Sequence, residues 1–144
     1  MSLSANKSDY LRAFDKHYRA YCDWKETGHK DTKSMVIFYC VECGLKYLYM
    51  HHLRIYRVKD ANEEISSILN SHNLLAILKE LRMSKYSFPC IKTSHNENVS
   101  LREYHQMRRY CIEAKTPKDY KLIDDYDKKL YSIVQWINEE RQGL

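Results

Sequence analysis

Glu42 and Lys46 stand one helical turn apart on an apolar stretch, Ser34–Leu53 (SMVIFYCVECGLKYLYMHHL), where ionisable side chains are out of keeping with their neighbours. Such an i,i+4 pair can be a helix-flank ion pair worth about 0.2–0.5 kcal/mol. It can also line a polar groove, where Lys46 meets an anion and Glu42 orients it or a basic partner. His72 follows the cap residue Ser71 in SHNLLAILKEL. A histidine there serves the helix start, or it faces a pocket and titrates near neutral pH. Arg102, His105, Arg108 and Arg109 share one later segment with Tyr104 and Tyr110. Arginine suits bidentate contact with phosphate and tyrosine can stack a base, so this segment is a candidate phosphate-binding face or a solvated basic one. His51, His52, Arg54, Arg57 and Lys59 form a second basic cluster interleaved with Tyr56. If both clusters fell on one side, they would outline a nucleic-acid groove.

Other chemistry is hard to build from these residues. Cys40 and Cys43 make a Cys-x-x-Cys pair. A structural zinc site needs four ligands, and no second pair exists. A redox pair sits at a helix start, whereas this one is in mid-helix. Small-residue packing is the simpler role, and the His51-His52 doublet lacks a metal-ligand pattern. With 3 glycines in the chain, no Gly-rich phosphate loop or dinucleotide fingerprint can be assembled. No metal or cofactor is expected.

The elements that must position these side chains are helices. Only 3 Gly and 2 Pro punctuate 144 residues, which favours long helices and few tight turns. The length suits one domain over 1–144, with a structured core over 7–140. Tyr10, Leu11, Phe14, Tyr18 and Tyr21 recur at helical spacing, predicting a first helix over 7–27 that stops at Gly28. The second runs from about Asp31 to Arg57 and is apolar nearly all round, as for a helix central in a bundle or buried in a dimer. Shorter helices are predicted over Ala61–Leu69 and Leu74–Met83. Residues 84–98 have no period and read as a loop. Helix resumes over Val99–Ala114. Thr116-Pro117-Lys118-Asp119 then sets a cap, a first-turn proline and an acidic residue at a helix start. Strand signals are absent. The predicted fold is all-α, an antiparallel up-and-down bundle of four to five helices. Trp24 and Trp136 read as core or interface residues. Glu42 and Lys46 interrupt the longest apolar run, so no membrane span is expected. Five cysteines, an odd number, fit reduced thiols in the cytoplasm. A formal charge of +5 permits an anionic partner without requiring one.

Taken in order, the buried helix with Glu42 and Lys46, the SHNLLAIL segment, Arg109–Tyr110 and the closing amphipathic helix resemble the HEPN family, from about Ser8 to Ile137. The resemblance implies a helical bundle that usually dimerises and handles RNA or nucleotides, often in prokaryotic toxin–antitoxin or defence systems. Some members are metal-independent ribonucleases, and others accompany nucleotidyltransferases or only bind. Catalytic members carry an Arg followed after four to six residues by a His in the later helices. Here Arg108 and Arg109 have no His in range, and Arg102 is too close to His105. Arg12 and His17 match the spacing on the first helix, but five residues separate side chains by about 140° around the axis, so they diverge.

Three roles follow as expectations. The first is an RNA- or nucleotide-binding module with Glu42, Lys46, His72, Arg108, Arg109 and Tyr110 as binding residues, working as a homodimer or with a nucleotidyltransferase-type partner. The second is a metal-independent endoribonuclease toxin, with His72, His105 and Arg102 as candidate catalytic groups. The third is a non-catalytic adaptor or antitoxin that uses the second helix as a seam.

Overall fold

A computed structural model describes residues 4–144. The elements run α1 (Lys7–Cys22), α2 (Lys30–Leu53), α3 (Glu63–Leu69), α4 (Leu74–Glu80), β1 (Ile91–Lys92), β2 (Asn98–Val99), α5 (Leu101–Arg109) and α6 (Pro117–Gln142). The fold is an all-α helical bundle with one small hairpin.

α2 is the central rod. α1, α4, α5 and α6 all pack on it, which is why its sequence has no polar stripe. Ile37, Phe38, Cys40, Val41 and Leu45 are wholly buried. Full burial of each large apolar side chain contributes about 1.5–3 kcal/mol. The chain's own helices therefore cover this rod, and no second copy is needed to hide it. Gly44 marks the tightest approach. A Cβ there would lie 2.7 Å from Phe14 Cδ1 of α1 and 2.9 Å from Ile137 Cδ1 of α6, so any larger residue would push the Phe14 and Ile137 side chains off their places on α2.

Local chemistry explains the helix ends. α1 begins where the Asn6 N–H donates to the Asp9 carboxylate at 2.9 Å, and the Val58 N–H donates to Asn6 Oδ1 at 3.1 Å. α1 stops at Cys22, six residues before Gly28, because Trp24 folds back and its indole fills the space over Gly28. α2 stops at Leu53, where Arg54 takes a left-handed conformation with φ 57° and the Ile55 N–H returns to the Met50 carbonyl at 2.9 Å. Arg82, Asn96 and Cys111 share this left-handed backbone, and no glycine does. Thr116 caps α6 as its sequence predicts: Thr116 Oγ1 accepts from the Asp119 N–H at 3.3 Å, and Asp119 Oδ2 accepts from the Thr116 N–H at 3.2 Å.

Residues 84–98 differ from a plain loop. Ile91 pairs with Val99 and Lys92 with Asn98 in an antiparallel hairpin, and Thr93 bridges Ala114. Two paired residues per strand are too short to produce readable alternation. Asp119 Oδ1 accepts from the Lys92 N–H at 3.0 Å, tying the hairpin to α6. The Tyr126 hydroxyl donates to the Pro89 carbonyl at 2.6 Å and fastens the preceding segment. No described helix is long and apolar enough to cross a membrane.

A buried polar group joins three helices on the far side of α2. Asp127 of α6 accepts from the Ser34 hydroxyl at 2.6 Å and from the Tyr104 hydroxyl at 2.7 Å. Burial pushes the Asp127 carboxyl up, and these two hydrogen bonds offset only part of that rise.

Candidate functional site

The middle of α2 presents Phe38, Tyr39, Glu42 and Lys46 over two turns. His72, just before α4, reaches Glu42: Nδ1 lies 2.5 Å from Oε1. A carboxylate only accepts, so Nδ1 carries the hydrogen and Nε2 is left to face other groups. Glu42 is 8% exposed, whereas the His72 side chain is 45% exposed. A buried carboxylate thus anchors a histidine that solvent can reach.

Lys46 serves the same carboxylate. Its ammonium lies 3.8 Å from Glu42 Oε2 and 5.8 Å from the centre of the Tyr10 ring. At 5% exposure it forms the floor of the cluster rather than its rim. Burial lowers the Lys46 pKa and Glu42 opposes the shift. The Tyr10 hydroxyl is pushed up to about 12 by burial, with Cys43 and Glu42 adding to the effect.

α5 completes the cluster from the other side. The His105 ring lies 4.2 Å from that of His72 and 5.1 Å from that of Phe38. Its Nδ1 is 3.4 Å from the Tyr39 hydroxyl, and its buried Nε2 has no partner. Burial first, then His72 and Arg109, push His105 down to about 4, so it is neutral at pH 7. Arg109 projects from the end of α5, donates to the Tyr39 hydroxyl and stands 5.8 Å from the Tyr39 ring centre. A chain of contacts therefore runs Arg109–Tyr39–His105–His72–Glu42–Lys46. From α1, the His17 ring lies 6.5 Å from that of Tyr39, and burial lowers the His17 pKa.

The structure thus brings Glu42, Lys46, His72, His105 and Arg109 together. His105 is 3% exposed, so it supports the His72 ring and offers no face to a ligand. Arg108 goes elsewhere: its Nη1 pairs with Asp31 at 2.9 Å beside a 540 Å³ cavity that also includes Lys30, Glu113 and Tyr120. Arg102 is exposed in the first turn of α5. Tyr110 is 65% exposed directly after Arg109. Tyr39 is the member that spacing did not single out, although it stands three residues before Glu42 and so on the same face of α2.

The cysteines of the Cys-x-x-Cys pair are protonated. Cys40 is buried with its thiol toward the Phe14 carbonyl, and burial raises its pKa. Cys43 is pushed up to about 11 by burial and by Glu42. All five cysteines are free thiols. Among the described residues, no three His, Cys, Asp or Glu side chains converge to hold a metal ion.

Chemically, the cluster offers one solvent-reachable histidine with a fixed hydrogen position and one exposed guanidinium, joined by neutral aromatic groups. The guanidinium suits an anion, and His72 Nε2 can donate to one when the ring carries both hydrogens. No protein-family model matches the chain, and no curated protein or solved structure is significantly similar to it.

Proposed function

We propose that this protein is an RNA- or nucleotide-binding module that holds phosphate between His72 and Arg109. The observation that carries this reading is the use of a buried carboxylate, Glu42, to fix the half-exposed His72 at 2.5 Å. Burying a charge is costly unless it is paired and hydrogen-bonded, and Glu42 is satisfied only through His72 and Lys46. The resemblance to the HEPN family points to the same ligand class. It extends the reading to a homodimer, or a complex with a nucleotidyltransferase-type partner, in a cytoplasmic toxin–antitoxin or defence system. Fluorescence anisotropy with labelled RNA tests it. Affinity falls as salt rises, because phosphate contacts release counterions. Absence of binding at low salt overturns the reading.

A second reading, metal-independent RNA cleavage, is favoured by the fixed hydrogen on His72 Nδ1. His72 Nε2 would exchange the proton and Arg109 would stabilise the charged phosphorane. Cleavage in the presence of a chelator, lost in His72→Ala, is the expected outcome. Equal cleavage by the variant rules it out.

A further inference from the structure

Arg109 has an unusual holder. Its guanidinium donates to the Tyr39 hydroxyl, and the exposed Tyr110 follows it in the chain. The holder is a neutral group rather than a carboxylate. Its charge is therefore oriented without being neutralised and remains available to an external anion. Both tyrosines are aromatic. Tyr110 is 65% exposed, and the Tyr39 ring lies tilted 6.0 Å from that of His105 with its hydroxyl toward the guanidinium. A fixed guanidinium plane beside an exposed phenol ring is a stacking surface for a flat, unpaired base.

We infer that Arg109, held by Tyr39 and followed by the exposed Tyr110, forms a stacking subsite that takes one unpaired base of single-stranded RNA beside a phosphate held at His72. The inference rests on the RNA reading above and narrows it. In a duplex the base faces are covered by their neighbours, so only phosphates and groove edges could reach this subsite. Tyr39 acts here as a positioning residue: it holds Arg109 through its hydroxyl while its other contact, His105, supports the His72 ring.

The test compares a labelled decauridylate with the same strand annealed to its complement, at low salt. The single strand binds at least about tenfold tighter, the loss expected when one stacked base is removed. Tyr110→Ala weakens single-strand binding by about tenfold and leaves the salt slope unchanged. Arg109→Gln lowers that slope by about 0.7, the loss of one phosphate contact on a single strand. Tyr39→Phe reproduces the Arg109→Gln slope, and the double variant adds nothing further, whereas a merely structural role for Tyr39 would give additive losses. Equal affinity for the duplex, or a neutral Tyr110→Ala, overturns the subsite while leaving RNA binding intact. If neither form binds at low salt, both the subsite and the RNA reading fall.

Discussion

His72 Nδ1 and Glu42 Oε1 meet at 2.5 Å across 30 residues of sequence, and the buried ammonium of Lys46 stands 3.8 Å from the other carboxylate oxygen. Glu42 is thus the shared partner of a reachable imidazole and a buried ammonium. Removing it leaves Lys46 without a counterion in the interior. Glu42→Gln is expected to cost about 3 kcal/mol, as for one half of a buried pair. Lys46→Met costs less, because a methionine fills the same space without charge. The double variant, Glu42→Gln with Lys46→Met, recovers part of the Glu42→Gln loss. Urea denaturation of the three variants checks this, and strict additivity would show that the two side chains do not interact.

Stability should depend on His105 in mildly acid solution. The unfolded residue takes its proton near 6.5, whereas the folded one does so only at about 4. Between those values the unfolded chain binds more protons, so stability falls as pH drops through this window and levels off below it. His105 contributes about 1–3 kcal/mol to that fall. His105→Gln removes it, so the urea midpoint of the variant declines less steeply from pH 7 to pH 4. Parallel declines in both proteins would contradict the burial of a neutral imidazole.

Tyr104→Phe deletes one of two hydroxyls that hold the Asp127 carboxylate. The expected cost at pH 7 is about 1.5–3 kcal/mol, the range for a hydrogen bond to a charged group. Burial raises the Asp127 pKa, so the folded chain takes up this proton before the unfolded one does. Asp127 therefore opposes folding more as pH rises. The penalty of the variant shrinks in acid, where the carboxyl is neutral, and thermal melts across pH 3–7 would show this.

Gly44→Ala places a methyl group against Phe14 and Ile137. Alanine gains about 1 kcal/mol of helix propensity, but overpacking costs about 1–3 kcal/mol, so a net loss of up to about 2 kcal/mol is expected. A more stable variant would mean that the Phe14 ring yields freely.

Much of this could be read from the residues. The unstriped α2 forecast a central rod, and Thr116, Pro117 and Asp119 forecast the start of α6. Glu42, Lys46 and His72 stood out as ionisable groups on or beside apolar helices and Arg109 as part of a basic face, and the fold brings them together. Two things escaped. The β1–β2 hairpin is held by backbone pairing and by Asp119 from a distant cap, so its own composition carries no period. Tyr39 went unmarked, because its partners, His105 and Arg109, come from α5, more than 60 residues away. Long-range pairings of this kind depend on how helices cross, which spacing along one helix does not encode. The same limit explains Arg108: it neighbours Arg109 in the chain, yet faces Asp31 on a different wall.

Arg54, Arg82, Asn96 and Cys111 occupy left-handed backbone while none of the glycines does. A side chain there costs about 1–2 kcal/mol, less what glycine gives back to the denatured ensemble. The chain thus carries untapped reserve just past α2, α4 and α5, where Arg54, Arg82 and Cys111 sit. Arg54→Gly or Cys111→Gly should raise the melting temperature by a few degrees, supplying a sturdier background for variants that weaken the Glu42 cluster.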